Sequence, residues 1–404
     1  MKTNLLNGTI VALLTALVAN AAGLSFMLVA LPPLGRQLGF SDLQTGALLS
    51  ASALVLTLCA PFWGYASERI GRRRVLLIGF ATASIALPGM AVAIFLRLSG
   101  ALPILATLVL LFAIRLLQSA LTGGVMPAAQ ALIANLTSPV NRAKGMGLLG
   151  ASYGLGAIAG AAVAWRMAAN SPAALTLLAA LSVMGFIAVL LFVRDGAQTP
   201  RNHLQSESLA IGAIAPNLAI TFLGIACYSI VQQVTALRLQ DVLGFSGVQS
   251  IDKAGAILML AALAMVAAQT LLVRLPVWTP RRLLTTGGTI AFLSMACLAI
   301  AESYPAMLAA TAAFGAALGL LLPGNLATLS RCVGPRAQGK AAGVNAMLQG
   351  LGLAAGPLIG ARLHLVSPKM PYAGALLLLA VICLLAFFTG RVHAGQPATQ
   401  ETPA

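Results

Sequence analysis

Charged residues are scarce in this chain, and acidic residues are scarcer than basic ones. Only 8% of the 404 residues carry charge, and the whole sequence contains eight Asp and Glu. About a quarter of the residues of a soluble domain are charged. Aromatic residues add only 5%. Because so little charge cannot cover the surface of a soluble protein of this length, the soluble globular classes are excluded.

Cysteine is also rare, and its spacing excludes disulfide and metal frameworks. The five cysteines stand singly, at Cys59, Cys227, Cys297, Cys332 and Cys383. The sequence has no glycine-rich phosphate loop ending in Gly-Lys-Ser/Thr and no pair of carboxylates inside an apolar run. We therefore expect no catalytic residues, no metal, no cofactor and no enzymatic activity.

Long apolar runs dominate what is present. Hydrophobic residues make up 59% of the chain and the mean hydropathy is +0.95. Runs of about 20 residues, the length that crosses a lipid core, recur from end to end. They predict an all-α integral membrane protein with twelve spans, at 8–31, 43–66, 74–97, 103–132, 141–166, 172–194, 209–237, 252–275, 281–302, 304–331, 337–364 and 370–391. We expect the first run to stay as a helix rather than to be cleaved as a signal peptide, because it continues past the small residues at 19–21.

Basic residues are concentrated in every second connection between these runs. The net charge of +16 would suggest nucleic acid in a soluble protein, but here its distribution indicates topology. One set of connections holds the clusters at 69–74, 142–144, 194–201, 274–282 and 331–340, and the other set holds Arg36, Arg97, Arg166, Arg238, Lys253, Arg362 and Lys369. By the positive-inside rule both termini are predicted to be cytoplasmic. No nucleic-acid partner is expected.

The chain divides into two related halves. The polar stretch Asp195–Ser208 predicts a cytoplasmic linker between a bundle at 1–194 and a bundle at 209–391, with a flexible tail at 392–404. A constant offset of 196 residues pairs Gly123 with Gly319, Pro127 with Pro323, Pro139 with Pro335, Lys144 with Lys340, Gly147 with Gly343, Gly154 with Gly350, Gly156 with Gly352, Gly160 with Gly356, Arg166 with Arg362, Ser171 with Ser367 and Pro172 with Pro368. A weaker echo links the Leu-Gly-Phe-Ser segments at 38–41 and 243–246.

The most informative motif joins the second and third runs. It reads Gly64-Tyr-Ala-Ser-Glu68-Arg69-Ile-Gly71-Arg72-Arg73-Arg74, and it resembles the loop between helices 2 and 3 of the major facilitator superfamily of transporters. The resemblance implies two pseudo-symmetric six-helix bundles with a substrate site between them. It also implies a gating role for Gly64, Glu68, Arg69, Gly71, Arg72 and Arg73.

Two further motifs resemble family patterns with departures. Arg115-Leu-Leu-Gln118-Ser119 is similar to the superfamily's Arg-x-x-Gln-Gly pattern, with serine in place of glycine. The glycines at 150, 154, 156 and 160 resemble the glycine-rich motif of antiporters, but Ala161 stands where that motif has proline. Small residues at this spacing also serve plain helix packing. Arginine inside a span should face a cavity or a partner, although a snorkelling arginine near a helix end is the alternative.

Polar residues inside the predicted spans form the candidate substrate site. They are Asn20, Arg115, Gln118, Tyr228, Gln232, Gln233, Asn325, Asn345 and Gln349. The set contains one fixed positive charge and no negative one, whereas exporters of cationic drugs typically carry a carboxylate within the membrane. A neutral or anionic amphipathic solute fits better. For each amide, a role in interhelical hydrogen bonding is the alternative.

The resemblance is nearest to the compact bacterial exporters of the tetracycline-efflux-like branch. It implies a secondary active transporter, working by alternating access as a monomer in the bacterial inner membrane, that exports a drug, metabolite or siderophore. Protons are the candidate coupling ion, in an antiport reaction. An uptake carrier for an organic anion, such as a carboxylate or siderophore, is the alternative. A membrane receptor or scaffold that moves no solute is a third hypothesis.

Overall fold

The structure is a computed structural model, and it describes residues 8–137, 142–194, 211–274, 278–334 and 337–392. Within those residues the chain is helical and contains no strand. The helices are α1 (Gly8–Leu38), α2 (Asp42–Ile70), α3 (Arg72–Leu98), α4 (Ile104–Thr122), α5 (Val125–Leu136), α6 (Arg142–Arg166), α7 (Ser171–Phe192), α8 (Ile211–Asp241), α9 (Gly247–Arg274), α10 (Pro280–Ile300), α11 (Tyr304–Arg331), α12 (Gln338–His364) and α13 (Met370–Val392). The predicted linker and tail lie outside the described residues.

Twelve stretches of the described chain are long and apolar enough to cross a membrane, which confirms the predicted number of spans. The helices α4 and α5 together form one of them, Ile104–Leu136. Thr9, at the start of α1, donates a hydrogen bond to the carbonyl of Phe192 at the end of α7. We call this end of the molecule the linker face, and the other end the opposite face.

Several helices extend further toward the opposite face than the apolar runs predicted. The first span was predicted to end at residue 31, before two prolines, yet α1 continues through Pro32 and Pro33 to Leu38. Proline disfavours a helix interior because it lacks a donor and crowds the preceding turn. Here burial of Leu34 and Leu38 accompanies the extra turns. The span predicted to end at 237 likewise runs to Asp241.

The internal repeat is visible as matching contacts in the two halves. The hydroxyl of Ser25 on α1 donates to the carbonyl of Ala157 on α6 at 2.8 Å. The hydroxyl of Ser229 on α8 donates to the carbonyl of Leu353 on α12 at 3.1 Å, and Leu353 follows Ala157 by the repeat offset. Because the same bond joins equivalent helices, the two bundles are pseudo-symmetric, as predicted.

The weaker sequence echo marks two equivalent helix starts at the opposite face. Gly39 and Gly244 both have positive φ, 88° and 68°, a conformation that glycine adopts without strain. The serines that follow, Ser41 and Ser246, accept hydrogen bonds from the backbone three residues on, at 3.2 and 3.3 Å. Both then receive the reciprocal glutamine bond of a capping box.

The two halves contact each other toward the opposite face. The amide of Leu358 on α12 donates to the hydroxyl of Ser50 on α2 at 2.9 Å. On the linker side of the same pair of helices, Gly343 of α12 has open space where a Cβ would be, and so does its repeat equivalent Gly147 on α6. Among these positions, direct contact between the halves is therefore seen toward the opposite face.

Candidate functional site

Helix α4, which belongs to the span Ile104–Leu136, carries a buried arginine. Arg115 lies eleven residues after Ile104, where α4 begins, or about 16 Å along a helix that rises 1.5 Å per residue. Arg115 is only 4% exposed. One guanidinium nitrogen donates to the amide oxygen of Gln118 at 2.8 Å. Arg115 and Gln118 are therefore both buried and bonded to each other.

The charge of Arg115 is not balanced by a carboxylate within the described chain. The hydrogen-bond partner of its guanidinium is the neutral amide of Gln118. Its Nε is buried and has no hydrogen-bond partner among the described residues. An unpartnered buried donor on a charged group costs more than the roughly 1–3 kcal/mol of a neutral one. The arrangement leaves Arg115 able to bind an additional acceptor.

On α8, three neighbouring polar side chains are buried or half-buried. The amide nitrogen of Gln232 donates to the hydroxyl of Tyr228 at 3.2 Å. The amide oxygen of Gln232 and both amide atoms of Gln233 are buried without a partner in the described part of the chain, and Gln233 is 1% exposed. Buried amides are ordinarily satisfied, so these atoms are further candidates for ligand contact.

Asn20 on α1 is buried beside a tyrosine that sequence reasoning missed. Tyr153 on α6 lies within hydrogen-bonding reach of the Asn20 side chain. Tyr153 lies in the glycine-rich segment, which the sequence suggested is a helix-packing motif. Its hydroxyl, inside a predicted span, is the feature of the sequence that could have indicated a polar site there.

Asn325 and Asn345 belong to a different cluster, closer to the linker face. The amide nitrogen of Asn325 donates to the carbonyl of Asn217 and to the hydroxyl of Thr221, at 2.8 and 2.9 Å. Thr221 in turn donates to Asn345 at 2.6 Å. These bonds tie α8, α11 and α12 together, which is the interhelical role that the sequence left open as the alternative. Gln349, one turn further along α12, is exposed.

The motif between α2 and α3 forms a one-residue turn at the linker face. Gly71 has φ of 97°, outside the range that other residues adopt readily, and it ends α2 and starts α3. Arg72 donates to the carbonyl of Ala131 on α5, and Arg73 donates to the carbonyl of Leu190 on α7, each at 2.7 Å. The guanidinium of Arg69 stacks on Tyr65 at 4.5 Å. The motif thus braces the first half internally, and Gly64 lies near Pro127 of α5.

An ion cluster connects the two halves at the opposite face. Arg36 of α1 bonds both carboxylate oxygens of Asp42, each at 2.7 Å. It also bonds both carboxylate oxygens of Asp241 on α8, at 2.7 and 2.8 Å. The Nε2 of His364 on α12 lies 2.7 Å from Asp241. The sequence predicted Arg36 in a connection between spans and gave no sign of this cluster.

Arg238 was also predicted in a loop, but it is completely buried near the end of α8. It donates to the carbonyls of Leu298 and Ala301, where α10 ends, and stacks on Tyr372 at 4.5 Å. Carbonyls at a helix C-terminus lack intrahelical donors and carry partial negative charge. Arg238 therefore caps α10 and holds three helices of the second half together.

Twelve spans in two repeated bundles, with buried polar groups in both, define a polytopic membrane transporter. The family model of the Major Facilitator Superfamily matches residues 13–293 and 249–403, and the chain belongs to this family. It is therefore a multi-pass membrane transporter of small molecules, with drug-efflux proteins among its relatives.

Two curated relatives illustrate the similarity. Multidrug resistance protein 1 of Bacillus subtilis (strain 168) is 26% identical over 393 residues, which cover 93% of this chain and 94% of that protein. The class B tetracycline resistance protein of Escherichia coli is 34% identical over 187 residues, covering 45% of this chain and 43% of the relative. That second alignment therefore spans less than half of the tetracycline protein.

Solved structures show the same fold. A bacterial homolog of the human lysosomal transporter Spinster, in an inward-facing and occupied conformation, has a TM-score of 0.77 at 15% identity, covering 95% of this chain and 96% of that one. The human organic anion transporter MFSD10 (TETRAN) has a TM-score of 0.66 at 18% identity, covering 94% and 99%. Identities this low establish the fold and nothing finer.

Proposed function

We propose that the chain exports a small amphipathic solute, neutral or anionic, across the bacterial inner membrane by alternating access, acting as a monomer with protons as the candidate coupling ion. The observation that carries the proposal is the lone cation at Arg115. It is buried within the span Ile104–Leu136, its bonded partner Gln118 is neutral, and no carboxylate balances it in the described chain. Such a site attracts a carboxylate or phenolate and disfavours a cationic drug.

The proposed binding groups come from both halves. Arg115, Gln118 and Asn20 contribute from the first half, and Tyr228, Gln232 and Gln233 contribute from the second half. Arg115, Gln232 and Gln233 carry the buried atoms without partners, and an arginine fork matches the two oxygens of a carboxylate. In this proposal Asn325 and Asn345 hold the second bundle in shape, and the exposed Gln349 lies along the entry path.

Alternating access is supported by the unequal contacts at the two faces. The opposite face is joined by the Arg36–Asp241 bonds and the Leu358–Ser50 bond, while glycines toward the linker face meet open space. We place the linker face in the cytoplasm, following the positive-inside rule. Reporter fusions after Gly196 and at the C-terminus should both report the cytoplasm, and a periplasmic signal from either would contradict this orientation.

Gly64, Glu68, Arg69, Gly71, Arg72 and Arg73 are proposed to hold the linker face shut in the other state of the cycle. In the present state Arg72 and Arg73 bond carbonyls of the first half. In this proposal the loop is therefore held in place by the first half before the second half moves against it to close the linker face.

The names of the relatives support export. They include tetracycline and multidrug resistance proteins, and one structural neighbour is called an organic anion transporter. Uptake of an organic anion, such as a carboxylate or siderophore, remains the alternative, because an acid-poor centre suits it equally well.

Counterflow in proteoliposomes tests the proposal. Vesicles containing the purified protein are preloaded with one member of a panel of anionic, neutral and cationic amphipathic solutes and diluted into the labelled form, with and without a pH gradient. Anionic or neutral solutes should exchange and cationic ones should not. Exchange confined to cations would contradict the proposed substrate class, and the absence of any exchange would favour the scaffold hypothesis.

A further inference from the structure

Two adjacent glutamines of α8 carry three buried polar atoms that have no partner among the described residues. These atoms are Oε1 of Gln232 and both amide atoms of Gln233. We propose that they bind a primary carboxamide or urea group of the substrate, so that the transported solute is an acid that also carries such a group. This inference rests on the proposed function, because it specifies the substrate of the same site more closely.

The internal repeat places α1 and α8 in the same register against α6 and α12. The neighbours that a Cβ would meet are Val18, Ala21 and Ala22 at Gly156, and Phe222, Ile225 and Ala226 at its repeat equivalent Gly352. Each neighbour in the second half follows its counterpart by 204 residues. Ser25 and Ser229, which bond α6 and α12, keep the same offset. Residues of α1 and α8 that differ by 204 therefore occupy equivalent positions.

The polar positions of α8 are aliphatic in α1. In this register Tyr228, Gln232 and Gln233 correspond to Leu24, Leu28 and Val29. Val29 is 1% exposed, and so is Gln233. The fold therefore accommodates an aliphatic side chain at the equivalent buried position, whereas burial of an amide without a partner is unfavourable. The packing that the two halves share does not explain the glutamines.

Gln233 faces the first half of the molecule. It precedes Gln240 by seven residues, so the two side chains lie on the same side of α8. The amide oxygen of Gln240 accepts a hydrogen bond from Arg36 of α1 at 3.0 Å. Gln233 lies about 10 Å closer to the linker face along the helix. Its unpartnered amide is therefore directed between the halves, where the proposed substrate site lies.

The unpartnered atoms define the kind of group that would satisfy them. Gln233 offers one donor and one acceptor side by side, and Gln232 adds a second acceptor, because its nitrogen already donates to Tyr228. A matching ligand supplies two donors and one acceptor. A primary carboxamide and a urea both carry an NH2 group beside a carbonyl. A ketone, an ester or a carboxylate supplies acceptors only and leaves both glutamine oxygens unpartnered.

The first half departs from the repeat at Arg115. By the offset of 196 residues Arg115 corresponds to Thr311 of α11, whose hydroxyl donates to the carbonyl of Met307 in its own helix. A neutral and satisfied side chain thus stands where the first half has a buried cation with an unpartnered Nε. Each half contributes a different binding group, a cation from the first and amides from the second. An acid that carries a carboxamide or urea matches both.

Matched ligand pairs test the proposal on the wild-type protein. The probes are para-carbamoylbenzoate and the flexible monoamide of adipic acid, each compared with the methyl ketone in which CH3 replaces NH2. The ketone keeps the size, the carbonyl and the carboxylate but lacks both N–H donors. Calorimetry measures their affinities for the purified full-length protein in lipid nanodiscs. At least one carboxamide should bind roughly tenfold more tightly than its ketone, because the ketone leaves buried oxygens without donors.

The repeat itself supplies variants that should fold. Gln232→Leu and Gln233→Val introduce the residues that α1 carries at the equivalent positions. Gln232→Leu should weaken the preference for the carboxamide and Gln233→Val should abolish it, while both keep the preference for a carboxylate over its methyl ester. Thr221→Val is the matched control, because it removes a hydroxyl that bonds Asn345 at 2.6 Å. It should lower the unfolding temperature and leave the carboxamide preference unchanged.

Equal wild-type affinities for carboxamide and ketone in both pairs would overturn the amide site, and a retained preference for the carboxylate would leave the proposed anion site standing. A carboxamide preference that persists in both glutamine variants would overturn the assignment as well. Binding of the methyl ester of para-carbamoylbenzoate as tightly as its acid, with the carboxamide preference retained, would support the amide site and contradict the proposed function. Failure of every probe to bind would contradict both.

Discussion

Gly46 of α2 and Pro357 of α12 approach so closely that a methyl group on Gly46 would lie 2.8 Å from the Pro357 carbonyl oxygen. The same methyl would lie 2.8 Å from the Cβ of Ala361. The two helices belong to different halves, so under the proposed alternating access this contact exists only while the opposite face is closed. In that account the glycine at position 46 is required by one state of the transport cycle.

Gly46→Ala should shift the protein toward the form open at the opposite face. The added methyl must displace backbone atoms in the closed form but meets no such neighbour once the halves part. Gly147→Ala is the matched control, because nothing lies within 4 Å of a Cβ at that position. The distance between spin labels on Leu43→Cys of α2 and Val248→Cys of α9, two exposed positions in different halves, should lengthen in Gly46→Ala and not in Gly147→Ala, with the native cysteines replaced. Equal distances in the two variants would contradict the prediction that the closed form requires a glycine at position 46.

Arg238→Leu should lower the thermal stability of the purified transporter. The variant leaves the carbonyls of Leu298 and Ala301 buried without the donor that now binds them, and each such loss costs about 1–3 kcal/mol. Arg238→Lys, which keeps one positive donor, should lie between leucine and wild type. Arg362→Leu is the control, since Arg362 is exposed on α12. Unfolding of Arg238→Leu at the wild-type temperature would contradict the capping role.

Glu68→Gln should slow transport while leaving insertion into the membrane unchanged. Glu68 lies in the turn motif at the linker face, beside Arg69 and close to Gly71. If the motif closes that face in the other state, removal of its one negative charge weakens closure and reduces the rate of the cycle. Exchange rates in proteoliposomes, normalised to the amount of inserted protein, provide the measurement. A wild-type exchange rate in Glu68→Gln would contradict a gating role for Glu68.

The fold could be predicted because its signals are local or periodic. Apolar runs marked the twelve spans, and a fixed offset revealed the duplication that the Ser25–Ala157 and Ser229–Leu353 bonds display. Each of these features depends on residues that are near in sequence or that repeat at one spacing.

The pairings between helices could not be predicted, because hydropathy fixes neither the rotation of a helix about its axis nor its end. The first apolar run predicted a helix that ends at residue 31, which left Arg36 in a loop and hid its bond to Asp241. The amide of Asn325 could have faced a cavity or a neighbour, and it faces Asn217 and Thr221. The direction that each such side chain faces is determined by packing across the whole bundle.

The proposed substrate site depends on Arg115, whose positive charge is proposed to bind an anion. Arg115→Lys keeps the positive charge but loses the planar fork, so affinity for a carboxylate should fall; Arg115→Ala should bind still more weakly. A charge-assisted hydrogen bond contributes about 1.5–3 kcal/mol, or roughly a tenfold to hundredfold change in affinity. Gln118→Ala serves as the comparison, because it removes the neutral partner and retains the charge.

The most direct measurement is the affinity of the purified protein for a carboxylate from the counterflow panel and for its methyl ester, with thermal stability recorded on the same samples. Wild type should bind the carboxylate more tightly than the ester, and folded Arg115→Ala should lose that preference while it still binds the ester. Arg115→Ala that binds the carboxylate as tightly as wild type would contradict the anion site. So would a variant whose only defect is that it no longer folds.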